Sequence, residues 1–597
     1  MTAPTEVPVL IIGGGCAGLS ASMMLSKLGI ESLLVSALPT TSILPKAHVL
    51  GQRTMEIFTE LGLADEIYNR AAPMENQVHT GFYAGLTGPR SEFGRELGKL
   101  EIWGAGDRDP EYTDASPCPT ANLFQVRLEP ILKAHAESLA PGRVRFNHEL
   151  LAFDQDDDGV TSTVRDKETG EEYRVRSQYL LGADGGRTVN KIVGIELEGL
   201  RNIVNMVSVH MTADLSEILD DDSVLLRWLV NPEFGGSFGG CLCPAGPDNW
   251  GTRSEEWVFH IAYPPDDPDT GDTSKVLDRM RAALGMPEFD PVVHAVSVWA
   301  LEGIIANRFR SGRVFILGDA AHRNPPTGGL GLNSAVHDAQ NLTWKLAAVL
   351  KGQAADTLLD TYEAERRPVI EVNVENSVNS AALRFQMDAA IGLSPTKSAD
   401  QNWAELGVLW DSSHPEHKQR KAAFDKAFAA QTIEFHHHGL EFGFSYNTGA
   451  IVSDGTPARE PIDPIRIYEP STRPGHPLPH AFVSDGNSTY PLQKLTHGGR
   501  FVLIAGEDGA AWVVAARSIA ERTGLPIDAY TVGNEQADLF DARFAWLRKR
   551  EIDRDGAVLV RPDRFIGFRS IGAADDPEAT LAGALSQILG TEMRIDA

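Results

Sequence analysis

The pattern of apolar and polar residues is clearest over the first 36 positions. Four apolar residues, Val9–Ile12, predict a buried strand, and glycines at the first, third and sixth positions of Gly13–Gly18 predict a tight turn. Apolar residues recur at helical spacing over Leu19–Leu28, and Leu33–Val35 predicts a second buried strand that ends at Ser36. This order predicts a βαβ unit that binds a dinucleotide pyrophosphate at the helix N-terminus. The alternative is an ordinary glycine turn.

A second strong pattern covers Gly312–Leu350. Val314–Leu317 predicts a buried strand that ends at Asp319, Pro325–Gly331 predicts a loop, and leucines four residues apart predict a long helix from Leu332 onward. The free N–H groups at that helix start suit a negatively charged ligand group. The Asp319 carboxylate can reach a sugar-alcohol hydroxyl, or it simply caps the strand end.

The chain between these stretches predicts mixed structure. Helices are expected over Pro45–Gly62 and Asn122–His135, short antiparallel strands from Val144 to Val175, and a β-rich segment from residue 200 to 300. A further buried strand delivers Asp184 to a turn before a helix, where its carboxylate binds a ligand hydroxyl or caps the helix.

The last third predicts more helices and then a separate αβ unit. A Pro-rich connection from Pro457 to Pro477 leads to alternating strands and helices between Phe501 and Leu589. The run His436–His438 suggests a metal site at first sight. Consecutive side chains point in diverging directions, however, and no Cys or acidic residue stands at ligand spacing, so we expect structural or solvated histidines and no metal.

Composition narrows the class of protein. The chain has 597 residues with a formal net charge of −28, which disfavours binding to nucleic acid or an anionic membrane. There is no apolar run of about 20 residues and no basic n-region before the first apolar run, so neither membrane insertion nor secretion is expected. Four scattered cysteines predict no disulfide framework and suit the cytoplasm. We therefore expect a protein that acts on a small molecule.

Three ordered motifs give a specific resemblance. The segments GGGCAG, ADGGRTVNK and GRVFILGDAAHRNPPTGGLGLNSAVHDAQNLTWKLA resemble the group A flavoprotein aromatic hydroxylases of the para-hydroxybenzoate hydroxylase fold. The segments QRTMEIFTELGL, STRPGHPLPH and GLEFGFSYNTGAIV are most similar to the phenol and 2,4-dichlorophenol hydroxylases with an extra C-terminal domain. The resemblance covers nearly the whole chain.

The resemblance implies an α/β fold in which a Rossmann-type FAD-binding domain is interleaved with a β-rich substrate domain, followed by a thioredoxin-like domain. The C-terminal unit has no CxxC, because no cysteine follows Cys243, and it would serve in subunit contact or as a scaffold. The expected FAD-binding parts are residues 1–76, 120–200 and 301–400; the substrate parts are 77–119 and 201–300; a helical linker covers 401–456 and the thioredoxin-like domain 457–597.

The same resemblance assigns residues to the cofactor. Ser36 stands where an acid usually binds the ribose, so we expect that sugar to be held more weakly or by water. Lys46 stands where relatives carry a cofactor-binding arginine. Lys191 replaces the arginine usual at the end of its motif, so the resemblance assigns no firm NADPH phosphate contact there. The implied FAD-binding residues are Gly13, Gly14, Gly15, Cys16, Ala17, Gly18, Ser36, Lys46, Gln125, Asp184, Asp319, Gly331, Leu332 and Asn333.

The implied reaction is hydroxylation of a phenol, ortho to its hydroxyl, to a catechol. In this family NADPH or NADH reduces FAD, O2 adds to form a C4a-hydroperoxide, and the distal oxygen attacks the ring. His48 matches the position of an acidic residue or histidine near the substrate hydroxyl and is the candidate base, although a histidine before a helix is often structural. The expected substrate pocket contains Asn122, Arg227, Trp228 and Pro325.

Two alternatives remain at this point. An arginine expected near Cys243 is missing and Asn122 stands where an aspartate is expected, so the ring substituents of the substrate stay open. One alternative is an enzyme that tailors a larger polyphenol or polyketide. A flavin-binding scaffold or sensor without turnover is the alternative from another class. A homodimer or homotetramer is expected.

Overall fold

The computed structural model describes residues 5–593, which form three large sheets and sixteen α-helices. The strands of the first two sheets, together with one two-stranded ladder, are β1 (Thr5–Ile12), β2 (Ser32–Ser36), β3 (Val49–Leu50), β4 (His79–Tyr83), β5 (Glu96–Glu101), β6 (Ala121–Asn122), β7 (Val144–Phe146), β8 (His148–Gln155), β9 (Val160–Asp166), β10 (Glu172–Gly182), β11 (Leu197–Thr212), β12 (Val224–Leu229), β13 (Cys241–Gly246), β14 (Glu256–Tyr263), β15 (Val292–Ala306), β16 (Arg310–Ser311), β17 (Val314–Ile316) and β18 (His322–Arg323). The third sheet contains β19 (Phe482–Ser484), β20 (Thr489–Pro491), β21 (Phe501–Ala505), β22 (Ile527–Gly533), β23 (Leu539–Phe540), β24 (Ala557–Val560) and β25 (Ile566–Ser570).

The helices lie between these strands and after them. They are α1 (Cys16–Lys27), α2 (Gln52–Leu61), α3 (Ala64–Arg70), α4 (Asp109–Ala115), α5 (Gln125–Leu139), α6 (Val189–Val193), α7 (Thr273–Leu284), α8 (Leu330–Leu350), α9 (Thr361–Ile391), α10 (Ala399–Gly407), α11 (His417–Ala430), α12 (Thr432–Phe435), α13 (His438–Glu441), α14 (Ala510–Thr523), α15 (Ala545–Lys549) and α16 (Pro577–Leu589).

The first sheet has the order β16-β17-β10-β1-β2-β7, in which β17, β10, β1, β2 and β7 run parallel. Every residue from Val9 to Ile11 is fully buried, because helices cover both faces of a parallel sheet. Helix α1 packs against α5 and α8. The predicted βαβ unit is confirmed. The strand Val144–Phe146, which we expected in an antiparallel set, instead pairs in parallel with β2 at the sheet edge.

The second sheet has the order β18-β15-β11-β14-β13-β12-β4-β5 and is largely antiparallel. Strand β4 pairs with β12, so two segments that lie far apart in the chain form one sheet, as interleaving predicts. Strands β11 and β15 pair from Leu197–Ala306 at one end to Thr212–Val292 at the other. The predicted domain boundaries after residues 200 and 300 fall inside these two strands.

The third sheet has the order β20-β19-β23-β22-β21-β24-β25, with β21 and β22 parallel and β24–β25 an antiparallel hairpin. Strand β21 and the predicted helices α14 and α16 lie where the apolar pattern places them. Trp344 and Ala348 on α8 belong to the same buried core as Phe501 and Trp512, so this unit packs directly on a helix of the first sheet's layer. The fold is therefore α/β with a C-terminal thioredoxin-like unit.

Candidate active site

The turn between β1 and α1 leaves a helix N-terminus open. A Cβ built on Gly13 would lie 2.2 Å from the Ala183 carbonyl oxygen, and one on Gly18 would lie 2.0 Å from the Gly13 oxygen, so only glycine fits there. Gly13 also has a φ of 119°, a conformation that side chains avoid. Gly15 caps α1 without a side-chain hydrogen bond, and the first turn carries no acidic residue. The free N–H groups and the helix dipole thus fit the pyrophosphate of FAD.

Gly14 and Ser36 lie side by side at the ends of β1 and β2. A Cβ on Gly14 would lie 3.1 Å from Ser36 Cβ and 2.5 Å from the Phe146 ring. Ser36 is buried, and its hydroxyl accepts a hydrogen bond from the Leu38 N–H at 3.4 Å. The structure therefore brings the predicted ribose position next to the glycine turn.

A buried carboxylate that the sequence analysis missed also meets this turn. Glu129 accepts hydrogen bonds from the Ser42 N–H at 2.7 Å and the Gln125 amide at 2.5 Å, and the Cys16 thiol lies 3.7 Å away. Burial, and then the Glu129 charge, raise the pKa of Cys16 well above its ordinary value, so this thiol stays protonated. The Gln125 amide thus turns to Glu129 in this structure. The four-residue spacing of Gln125 and Glu129 on one helix was the available signal.

The end of β17 meets both α1 and α8. A Cβ on Gly318 would lie 3.0 Å from Ala17 Cβ and 3.2 Å from Ala335 Cβ, which shows how closely the three elements approach. Asp319 follows, is exposed, and makes no side-chain hydrogen bond or ion pair with any described residue. Its Cβ lies 3.9 Å from a Cβ built on Gly185. The three motifs therefore converge, and the Asp319 carboxylate is free for a ligand.

Asp184 uses its carboxylate within its own turn. It accepts hydrogen bonds at 3.0, 2.7 and 3.1 Å from three backbone N–H groups, those of Gly186, Thr188 and Val189. These bonds satisfy the start of α6 and fix the turn that faces Asp319. The capping alternative thus describes the side chain in this structure.

Helix α8 presents a second open N-terminus. Gly329, with a φ of 67°, precedes it and offers no side-chain cap, and no acidic residue lies in the first turn. Nothing lies within 4 Å of a Cβ built on Gly331, while the Leu332 side chain is buried. The backbone N–H groups of Gly331 and Leu332 lie in a helix turn that can stabilise negative charge on a flavin edge.

The Asn333 side chain fastens α8 to the segment before α2. Its Oδ1 accepts hydrogen bonds from the Gly51 N–H at 2.9 Å and the Thr54 hydroxyl at 2.6 Å, and its Nδ2 donates to the Val49 oxygen at 3.1 Å. Residues 46–51 are therefore held extended, and the helix predicted from Pro45 begins only at Gln52.

His48 lies in this extended segment. The Leu123 N–H donates to the His48 oxygen at 2.8 Å, and the Gln125 N–H donates to the Ala47 oxygen at 2.8 Å, which extends the β3–β6 ladder on both sides. Lys46 is exposed, and its charge acts on the Cys16 thiol. The backbone of His48 is thus fixed while Lys46 stays near the start of α1.

The His48 ring sits in an apolar environment. Its Nδ1 lies 3.0 Å from Asn122 Oδ1, and the ring centroids of Phe124 and Trp103 lie 4.9 and 6.1 Å away. Burial lowers the pKa of His48 below 6.5, so the ring is neutral at pH 7 and can accept a proton.

A cavity of about 190 Å³ adjoins this ring and is called the His48 cavity below. It is lined by His48, Asn122, Phe124, Leu225, Cys243, Pro244 and Trp250. Of the predicted pocket residues, only Asn122 and the candidate base His48 are among them.

Arg227 does not line this cavity, although we expected it there. Its guanidinium donates to the Val224 oxygen at 2.7 Å and to the Asp221 oxygen, and only 2% of the residue is exposed. Burial is also the largest cause that lowers the pKa of this group. Backbone carbonyl groups therefore hold Arg227 within its own strand region.

Trp228 and Pro325 are also placed elsewhere. The Trp228 indole N–H donates to the Thr80 hydroxyl at 3.0 Å, and the Arg384 guanidinium lies 3.9 Å over its ring. Pro325 is buried beside β15, with its Cδ 3.9 Å from a Cβ built on Gly303. A charged or aromatic residue in a strand was thus an unreliable sign of the pocket, because the strand face decides its direction.

Cys243 is the pocket residue that sequence reasoning undervalued. Its sulfur lies 3.8 Å from that of Cys241, and its side chain reaches the His48 cavity from β13. Only the alternation of side chains along that strand could have indicated it.

A second cavity of about 290 Å³ lies beside Gly51 and α8. We call it the Arg53 cavity; its lining includes Arg53, His337 and Glu441. Nearby, His438 contacts the Glu111 carboxylate at 3.1 Å and the Gln52 amide oxygen at 3.0 Å. The three consecutive histidines, His436–His438, are buried.

Residues 5–593 contain no group of three His, Cys, Asp or Glu side chains that could hold a metal ion. No helix within that range combines the length and the apolar surface needed to cross a bilayer.

Comparisons with known proteins identify the family of this chain. The family model of the FAD-binding domain matches residues 6–377, and the model of the aromatic-ring hydroxylase C-terminal domain matches residues 471–591. The 2,4-dichlorophenol 6-monooxygenase of Delftia acidovorans is 35% identical over 590 residues, which cover 97% of this chain and 98% of the relative.

Two solved structures share the whole architecture. The flavin-dependent monooxygenase PieE, in complex with FAD and substrate, is 38% identical with a TM-score of 0.90, over 98% of this chain and 100% of that one. Aklavinone-11 hydroxylase with FAD and aklavinone is 32% identical with a TM-score of 0.78, over 99% and 100% of the two chains. The chain therefore belongs to the FAD-dependent aromatic-ring hydroxylases and is a flavin-dependent aromatic monooxygenase.

Proposed function

We propose that the enzyme hydroxylates a single-ring phenol, at the carbon next to its hydroxyl, with the ring bound in the His48 cavity. The observation that carries this proposal is a neutral histidine in an otherwise largely apolar cavity. Burial of the phenol ring beside Phe124 and Trp250 favours binding, and His48 offers a partner for the one polar group of such a substrate. The relative from Delftia acidovorans is named for hydroxylation at position 6 of a phenol, which is an ortho position.

The lining of the His48 cavity supports an aromatic substrate, because the Phe124 and Trp250 rings border it together with His48. The second candidate is a larger polycyclic substrate, favoured by the likeness to aklavinone-11 hydroxylase.

The chain contributes binding, orientation and one proton transfer. FAD, when bound, supplies the hydride and oxygen chemistry, with NADPH or NADH and O2 as co-substrates. His48 takes the phenol proton, which makes the ring carbon next to the hydroxyl more electron-rich. The apolar walls of the His48 cavity keep water from the reacting ring.

The cofactor residues have distinct proposed roles. The N-terminus of α1 at Gly15 and Cys16 binds the pyrophosphate, and Asp319 binds hydroxyls of the ribityl chain. The backbone N–H groups of Leu332 and Asn333 would hold the pyrimidine edge of the flavin and stabilise the negative charge that the reduced flavin carries. Asp184 acts by shaping its turn.

The test is a panel of substituted phenols and one polycyclic phenol, given to the FAD-loaded enzyme with NADPH or NADH. We expect phenol-stimulated NAD(P)H oxidation and a product heavier by one oxygen for single-ring phenols. His48→Gln should bind FAD normally and lose product formation about a hundredfold or more, whereas His414→Gln, at a partly exposed bend outside the His48 cavity, should behave as wild type. Turnover of the polycyclic compound alone would favour the second candidate, and no turnover of any compound would refute both.

We also propose a homodimer or homotetramer. Leu200, Val292 and Val298 expose 49–64% of their surface along the β11–β15 ladder, and a subunit contact over this ladder would cover them. Light scattering of the FAD-loaded enzyme should give two or four times the 64.8 kDa chain mass; a monomer mass would refute this.

A further inference from the structure

A chain of amide side chains leads away from His48. His48 Nδ1 lies 3.0 Å from Asn122 Oδ1, and the Asn122 amide donates to Gln77 Oε1. The Gln77 amide in turn donates to the Ala72 oxygen at 2.9 Å. Asn122 and Gln77 are 2% and 4% exposed, so water does not compete for these bonds.

The chemistry of these groups fixes every proton along the chain. The Ala72 carbonyl oxygen can only accept, so the Gln77 atom beside it must be Nε2. Gln77 therefore turns Oε1 to Asn122, which must donate through Nδ2 and turn its own Oδ1 to His48. An amide oxygen facing a neutral imidazole nitrogen requires that nitrogen to carry the proton. The proton of neutral His48 thus lies on Nδ1, and Nε2 holds the lone pair.

We propose that Gln77 and Asn122 are positioning residues that fix the tautomer of His48, so that Nε2 is the atom that takes the phenol proton. This inference rests on the proposed function, in which His48 is the base. Within residues 5–593, Nε2 forms no hydrogen bond, which leaves it open to a ligand in the His48 cavity.

The backbone holds the amide chain in register. The Ala72 N–H donates to the backbone oxygen of Asn122 at 3.0 Å, and the Leu123 N–H donates to the backbone oxygen of His48 at 2.8 Å. Backbone hydrogen bonds thus tie Ala72 and His48, the two ends of the row of amide side chains, to Asn122 and Leu123. A rotation of the Asn122 amide would place an N–H against Nδ1–H and leave Gln77 Oε1 without its donor.

The proton transfer is simple to balance. The phenol O–H bond breaks, an N–H bond forms at His48 Nε2, and an imidazolium lies beside a phenolate. Asn122 Oδ1 is an amide oxygen and too weak a base to take up the Nδ1 proton, so the abstracted proton is held on His48. The titratable groups that face the ring from neighbouring strands are Cys243 on β13 and His260 on β14; the first raises and the second lowers the pKa of His48, by less than burial lowers it.

Three variants of the FAD-loaded enzyme test the inference. Gln77→Leu removes the acceptor that orients Asn122. Asn122→Asp keeps an acceptor for Nδ1–H and adds a charge. Gln493→Leu is a matched control, because Gln493 is a buried glutamine that contacts a different histidine, His480, at 3.1 Å.

Two measurements separate positioning from general damage. The first is the visible absorbance of a bound nitrophenol, which reports its ionisation; the second is the pH profile of kcat/KM for a phenol substrate. Gln77→Leu should reduce both the bound nitrophenolate and kcat/KM about tenfold or more, while Gln493→Leu should stay near wild type. Asn122→Asp should raise the apparent pKa of the profile, because a carboxylate within about 4–6 Å stabilises the imidazolium.

The outcomes are distinct. If wild type ionises and hydroxylates phenols but Gln77→Leu changes neither measurement, the positioning inference is overturned and the proposed function survives. If wild type neither ionises nor hydroxylates any phenol, both fail. The 15N resonances of His48, assigned by their loss in His48→Gln, should show the proton on Nδ1 in the neutral wild type; a proton on Nε2 would also overturn the inference. This last readout needs no substrate and no activity, so it holds even for a variant that is poorly active.

Discussion

Glu441 is a buried acid with no cationic partner within residues 5–593, and replacing it should stabilise the enzyme. Its side chain is 8% exposed at the end of α13, and the basic group that contacts it, His437 Nε2, lies 3.6 Å away. Burial lowers the pKa of His437 to about 4, so this ring is uncharged near pH 7. Burial also raises the pKa of Glu441 to about 7; Tyr112 and Glu111 make smaller, opposing contributions.

The size of the effect follows from the two protonation equilibria. The carboxyl group has an ordinary pKa of 4.5 in the unfolded chain and a pKa of about 7 in the folded protein. This difference lowers the free energy of unfolding by about 3 kcal/mol at a pH where the group is ionised in both states. Between pH 4.5 and 7 the folded protein keeps this proton while the unfolded chain releases it. The free energy of unfolding therefore falls as pH rises through this window and is constant with respect to this group above pH 7.

The variant is Glu441→Gln, which keeps the shape and removes the ionisation. The assay is urea unfolding of wild type and variant at fixed FAD concentration, because bound ligand itself adds stability, at steps from pH 5 to 8. We expect similar stability at pH 5 and a variant that is more stable by about 3 kcal/mol at pH 8. Glu66→Gln is the control, because Glu66 is half exposed and paired with Arg70, where the effect should stay within about 1 kcal/mol at all pH values. Parallel pH curves for wild type and Glu441→Gln, or a variant less stable at pH 8, would refute the reasoning.

Two further predictions concern the C-terminal unit and the glycine turn. Arg561→Met should destabilise the enzyme by about 3–5 kcal/mol in the same urea assay, because it leaves the fully buried Glu365 carboxylate without its bidentate partner. The control is Arg554→Met, at an exposed ion pair, which should cost at most about 1 kcal/mol. Equal losses of unfolding free energy in the two variants would contradict this prediction. Gly18→Ala should abolish FAD binding, measured as flavin released from purified protein, because its Cβ would lie 2.0 Å from a backbone oxygen. The control Gly583→Ala, in open space on α16, should keep its full flavin content. A yellow Gly18→Ala enzyme would contradict the proposed pyrophosphate site at the turn between β1 and α1.

The sequence predicts a strand or helix well when its apolar residues and the glycine or charged residues that end it lie within one short segment. The strands at Val9–Ile12 and Phe501–Ala505 are continuous apolar runs next to glycine or charged residues, and both occur where the pattern places them. Residues Val144–Phe146 carry the same kind of signal but say nothing about the partner strand. Their parallel pairing with β2 depends on a contact with a strand far earlier in the chain. Pairing partners therefore lie beyond a local pattern.

The candidate site shows the same limit. The close approach of the motif glycines and Asp319 was predictable, because each lies at the end of a buried strand that its own short segment predicts. The start of α2 was not, because Asn333, 282 residues away, holds Gly51 in an extended conformation. We expected Arg227 in the substrate pocket because a charged residue in a strand suggests a ligand contact. Its guanidinium instead donates its hydrogen bonds to backbone carbonyl groups of its own segment.

The cysteine-free thioredoxin-like unit is held to the flavin-binding layer by buried charges. Arg564 is fully buried, has a φ of 70° and donates to the Glu60 carboxylate on α2 at 2.6 Å. The left-handed backbone conformation costs a residue with a side chain about 1–3 kcal/mol, and it persists where surrounding contacts hold it in place. Glu60 also accepts from the Gly498 N–H at 3.1 Å, and Arg561 binds Glu365 on α9. Helix α2 follows directly after the segment that carries His48. The Glu60 contacts hold its C-terminal end, and Asn333 holds its N-terminal end. The scaffold interpretation of this unit therefore rests on its contacts with two helices, α2 and α9.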